Sequence, residues 1–170
     1  MKKTMLAIVL VGSFTISLRH IAVAQSDKEN AQLASALASA KVTLEAGIMA
    51  SEREGKPISA KFEVEEGKLQ LSVYTMKGDK FSEVIVDHQT GRIAKTEAIT
   101  GGEDLAAAKQ QSAAMAQAKS SLRAAAEAAV KVNSGFRAVS VTPALKGGKP
   151  MADVTLAKGR EFKTVSQNLN

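Results

Sequence analysis

Ile58-Ser-Ala-Lys-Phe-Glu-Val-Glu65, Gly67-Lys-Leu-Gln-Leu-Ser-Val-Tyr-Thr-Met76 and Gly78-Asp-Lys-Phe-Ser-Glu-Val-Ile-Val-Asp87, closed by His88-Gln-Thr-Gly-Arg-Ile93, decide the fold. The first two segments alternate apolar and polar residues. Ile58, Ala60, Phe62 and Val64 share one face, as do Leu69, Leu71 and Val73. A period of two is the mark of half-buried antiparallel strands. Glu66-Gly67 and Gly78-Asp79 stand where tight hairpin turns belong, because glycine accepts the positive φ of such turns. The stretch is a three-stranded meander.

The meander recurs. Gly67-Lys68, Val73, Gly78, Phe81 and Val84 return as Gly148-Lys149, Val154, Gly159, Phe162 and Val165, each 81 positions on. The preceding segment returns at a spacing of 78, with Ala38, Ala40, Lys41 and Leu44 matched by Ala116, Ala118, Lys119 and Leu122. Two copies of a helix-then-meander unit are expected, over residues 25–99 and 103–170. Thr100-Gly101-Gly102 marks the boundary, and Glu103-Asp104 suits a helix N-terminus. Each copy is an α+β unit, an α-helix on a three- to four-stranded antiparallel sheet. A unit of this length buries only a modest core, so the halves are expected to dock. Phe81 and Val84, three apart, break the alternation, as do Phe162 and Val165; a bulge in each copy would reset the phase.

Upstream, Ser26-Asp-Lys-Glu29 has the form of a capping box, followed by an alanine-rich helical segment to Glu54. Leu33, Leu37, Leu44 and Ile48 recur at helical spacing. Gly55 and Pro57 stop the segment, and Gly47 or residues 41–43 offer a break within it. Residues 1–24 read as a secretory signal. Lys2 and Lys3 precede an apolar run over residues 6–18, and Ala22-Val23-Ala24 forms a small-x-small cleavage site before Gln25. The run is too short to span a bilayer as a helix, which takes ~20 residues. The expected product is periplasmic or secreted, with no membrane span once the signal is removed.

Composition limits the function. The chain of 170 residues carries 23 Lys and Arg against 17 Asp and Glu, a net charge of +6. Losing residues 1–24 removes three cations (Lys2, Lys3, Arg19) and no acid, leaving 20 against 17. One Tyr and five Phe provide no basic-aromatic surface, so nucleic acid is not an expected partner. With no cysteine, stability rests on packing alone.

Gly55-Lys-Pro-Ile-Ser-Ala-Lys-Phe-Glu-Val-Glu65 and Glu83-Val-Ile-Val-Asp-His-Gln-Thr-Gly91 resemble the PepSY domain. In that family a helix precedes a segment of the first kind, and an Asp-x-x-Thr-Gly turn follows the third strand. Asp87, Thr90 and Gly91 carry the sharpest part of the likeness, over residues 41–97. Residues 119–169 match more weakly, with Asn168 where Asp87 stands. The resemblance implies an extracytoplasmic α+β module that restrains a peptidase or regulates activity outside the cytoplasm. It implies no catalytic set.

The residues themselves point the same way. Asp87-His88 is the one pair of catalytic flavour, but strand neighbours point to opposite faces. An Asp that opens a turn, accepting backbone N–H groups before Thr90-Gly91, is the better account. With no Cys and only His88 beyond the signal, a metal site would need several carboxylates around that one imidazole. Glu63 and Glu65 read as a solvated acidic edge that discourages strand pairing. Tyr74 and Met76 face away from Leu71 and Val73 and form a candidate partner surface, unless the other half covers them. No catalytic, cofactor-binding or metal residue is expected. The reading is a non-enzymatic binding or regulatory protein with a protein partner, a peptidase by resemblance. The alternative is a small-ligand or metal-ion sensor. A pocket with converging polar groups between the copies would favour the ligand; a dry contact would favour the partner.

Overall fold

Turn chemistry and strand alternation set the architecture. The computed structural model describes residues 18–170. In chain order the elements are α1 (Leu18–Leu37), α2 (Leu44–Ser51), β1 (Lys56–Glu65), β2 (Lys68–Lys77), β3 (Lys80–Val86), β4 (Ile93–Ile99), α3 (Gly102–Gln117), α4 (Leu122–Lys131), β5 (Arg137–Lys146), β6 (Lys149–Lys158) and β7 (Glu161–Asn168). The class is α+β. The strands form one antiparallel seven-stranded sheet in the order β4-β3-β2-β1-β5-β6-β7. The β1–β2 turn places Glu66 and Gly67 at φ 49° and 77°; the β5–β6 turn places Gly147 and Gly148 at 57° and 77°. Two consecutive positive φ values match the twist of the flanking strands.

Most of the expected signal, residues 1–17, lies outside the described residues. Its cleavage site falls within α1, which starts at Leu18, so Ser26 lies inside a helix rather than capping one. The alanine-rich segment breaks between Leu37 and Leu44, where Thr43 Oγ1 accepts Ala46 N–H at 3.2 Å to cap α2. Gly47 is no break. It lies within α2, where a Cβ would come 2.4 Å from the buried Leu71 side chain.

The meander carries a fourth strand, β4, beyond the three read from alternation. Leu44 and Ile48 of α2 join Leu122 and Ala126 of α4, and Leu71, Val73, Val84, Val141 and Val154 of the sheet, in one core. Phe81 and Val84 need no bulge. The β2–β3 ladder runs unbroken from Lys77↔Lys80 to Leu71↔Val86. Val84 faces the core with Val73, while Phe81 lies on the opposite face with Met76 and Tyr74. On that second face α3 bonds Tyr74 and Met76 beside Phe81, so apolar residues are buried there as well. The β6–β7 ladder is likewise continuous from Lys158↔Glu161 to Met151↔Asn168. The register shifts fall instead at Pro57/Ser59, Ile85/Val86 and Ala138/Ser140.

The halves do not form separate sheets. β1 and β5 pair through Ala60↔Val141 and Lys61↔Ser140, which turns two strand edges into interior strands. Ala60 and Val141 are themselves 81 apart. The same spacing relates the starts of β1 and β5, β2 and β6, and β3 and β7, and the shifts at Pro57/Ser59 and Ala138/Ser140. At a spacing of 78, Thr43 caps α2 and Ser121 caps α4 through the same bond. His88 O accepts from the N–H groups of Lys41 and Val42; Leu169 O accepts from those of Lys119 and Ser120.

Candidate functional site

Three places bear on function: the turn after β3, the face beneath α3, and the junction where α2 and β1 meet the α3–α4 loop. The turn is built by Asp87. Its Oδ1 accepts the backbone N–H groups of Gln89 and Thr90, each at 2.8 Å. Its carbonyl accepts Gly91 N–H and its own N–H donates to Arg92 O, both at 2.8 Å. Gly91 supplies φ 73°. The two N–H bonds, that of Thr90 first, hold the carboxyl below the usual carboxylate range. At the corresponding place in the second half, Asn168 Oδ1 accepts Asn170 N–H at 2.9 Å. Asp87, Thr90 and Gly91 thus meet in one turn; the bonds of the Asp87 carboxylate are local, whereas Gln89 Nε2 donates to Ser39 O at 2.6 Å and His88 O ties the turn to Lys41 and Val42. Asp87 Oδ1 is directed at the turn's amides, not at the His88 ring, whose Nδ1 is buried with no hydrogen-bond partner among the described residues.

Tyr74 and Met76 lie elsewhere and form no open patch. Tyr74 is 9% exposed, and its hydroxyl donates to Asp104 Oδ1 at 2.7 Å. Burial first, then the Asp104 bond, raise the phenol above its ordinary pKa. Met76 Sδ takes a bond from Ser112 Oγ at 2.9 Å. Ser59 Oγ donates to Gln111 Oε1 at 2.9 Å. The candidate partner surface is therefore the seat of α3. Asp104, in the first turn of this helix, accepts the Tyr74 hydroxyl, and the helix covers residues whose polar tips it satisfies. Glu63 shares this sheet face and pairs with Lys61 at 2.6 Å, whereas Glu65 is exposed.

The third place was invisible to motif reading. Arg137, at the start of β5, reaches into the first half. Its Nη1 donates to Leu37 O at 3.2 Å and its Nη2 to Val42 O at 3.0 Å, and its guanidinium lies 5.2 Å from the Phe62 ring centroid. Partial burial lowers its pKa. Lys56, 81 positions earlier, makes the reciprocal reach, donating from Nζ to Met115 O at 3.2 Å. Met115 is 78 positions after Leu37. An open pocket of about 390 Å³ adjoins Lys56, bounded by α2, the start of β1 and the α3–α4 loop. Ile48, Pro57, Met115 and Leu122 form its apolar wall, and Lys56, Lys119, Arg123 and Glu52 contribute its charges. The spacings of 78 and 81 were the signal that could have paired Lys56 with Arg137.

Among the described residues no group of three or more His, Asp or Glu side chains is placed to hold a metal ion, and no helix is long and apolar enough to cross a membrane. Compared with known proteins, the chain matches no family model, no curated protein and no solved structure.

Proposed function

We propose that this chain is an exported, non-enzymatic binding protein of two PepSY-like units, and that it holds an extended segment of a protein partner along the outer edge of β7. The partner implied by the PepSY resemblance is an extracytoplasmic peptidase. One observation carries the choice of edge. β3 and β7 correspond at the spacing of 81, and β3 carries β4 on its far side through Phe81↔Ile99 to Val86↔Ile93. β7 is an end strand among the described residues and pairs with no strand on that side. It therefore offers the kind of backbone edge that β3 offers to β4, and strand addition is a recurring mode of peptide recognition. β2, which carries Tyr74 and Met76, and β3 are interior strands and offer no edge.

The binding test is capture from envelope extract, followed by hydrogen exchange on the complex. The β7 amides that do not bond to β6 should gain protection. A captured protein that leaves β7 exchange unchanged overturns the choice of edge. Export is tested by N-terminal sequencing, which should find Gln25 first. Cleavage there would shorten α1 and bring Ser26 next to the new terminus, where its capping box could act. A chain that keeps Met1 in the cytoplasm overturns the address.

The small-ligand reading retains one specific support. The pocket beside Lys56 lies between the halves and gathers charged groups of both, the arrangement expected of a ligand site.

A further inference from the structure

The two reciprocal reaches across the junction are chemically unequal. The Arg137 fork bridges two carbonyls, Leu37 O and Val42 O, and its planar face lies over Phe62. That socket is satisfied from within the chain. Among the described residues Lys56 bonds one carbonyl, Met115 O. An ammonium has three donors, so two remain for another acceptor. Lys119 and Arg123 border the same pocket, against a single carboxylate, Glu52. Arg123 is held by Glu127 at 3.1 Å on the exposed side of α4, whereas Lys119 makes no ion pair among the described residues. Cations thus outnumber anions at the pocket, two of them with donors to spare, beside an apolar wall.

We propose that this pocket binds a small organic carboxylate with an apolar body, its carboxylate held by Lys56 and Lys119 and its body against Ile48, Pro57 and Leu122. The volume of about 390 Å³ lies toward the low end of the range of small-molecule sites, ~300–1,000 Å³. Charge-assisted bonds to a carboxylate fix orientation, and the wall supplies burial. A purely inorganic anion would leave that wall unused. The site lies at the α2–α4 side of the junction and does not depend on the β7 edge.

The probe is N-acetyl-leucine, compared with N-acetyl-leucinamide and inorganic phosphate, in a two-dimensional amide NMR titration of the full chain. N-acetyl-leucine should shift the amide signals of residues 52–56 and 118–123 saturably. The neutral amide and phosphate should each bind roughly tenfold more weakly, the scale of one lost charge-assisted contact. Lys119→Met, at an exposed position, and Lys56→Met should each weaken the acid by a similar factor and leave the amide unchanged. Ala118→Phe should fill the pocket and abolish both. If that variant fails to fold, Lys119→Met still decides. Absence of a saturable shift, equal binding of acid and amide, phosphate binding as tightly as the acid, or indifference of both lysine variants would each overturn the proposal.

Discussion

Asp87 shows how much one side chain does by local bonding. An acceptor-only carboxylate satisfies two backbone donors that the turn turns outward, and the same two donors lower its pKa. Asp153 is lowered too, by Lys146 at 2.6 Å and then by Ser166. For both groups the folded pKa lies below the unfolded value of ~3.9, so their stabilisation is fully present above that value. It is lost as pH falls through the folded pKa. Melting temperature should hence be level above about pH 5 and fall progressively below pH 4. Asp87→Asn keeps an amide oxygen, as Asn168 does in the second half, and should lower the melting temperature less than Asp87→Ala. It should also flatten the acid fall. A melting profile of the two variants from pH 3 to 6 checks both statements; equal losses for Asn and Ala would rule out the acceptor role.

Among the elements, correspondence in position does not bring equal burial. Phe81 is 8% exposed, paired with Met76 on one side and Ile99 of β4 on the other. Phe162 pairs with Ala157 of β6 and is only partly buried, on an end strand. Phe81→Ala should destabilise by about 3–5 kcal/mol, the cost of emptying a packed site. Phe162→Ala should cost less, about 1–2 kcal/mol, because less area leaves the apolar interior. Chemical denaturation of the two variants measures the difference. β4 itself escapes sequence reading because it is exposed nearly throughout, with only Ile93 and Ile99 partly covered. An edge strand without a buried face has no hydrophobic alternation to display. The break before α2 was legible as one of two places, Gly47 or residues 41–43, and the structure puts it at the second, where Thr43 caps α2.

At the scale of the molecule, the β1–β5 ladder makes the halves interdependent. Ala60 and Val141 are nearly fully buried at its centre, and Arg137 carries a charge from one half onto carbonyls of the other. A fragment comprising residues 18–100 would expose the β1 edge and leave Leu37 O and Val42 O without their guanidinium. We expect that fragment to be either largely unfolded or self-associated through β1, with no stable monomer. Sedimentation and circular dichroism of the fragment test this, and a cooperatively melting monomer would refute it. From the sequence alone came the hairpins, the α+β class, the Asp87 turn and the spacings of 78 and 81, because these follow from local φ, ψ preferences and short-range periodicity. Only the tertiary structure decided that seven strands share one sheet, that α3 rather than a partner covers Tyr74 and Met76, and that Lys56 borders a pocket where Arg137 fills a socket. Each of these joins residues dozens of positions apart, where chain periodicity carries no information and the outcome rests on which edges and faces can be buried together.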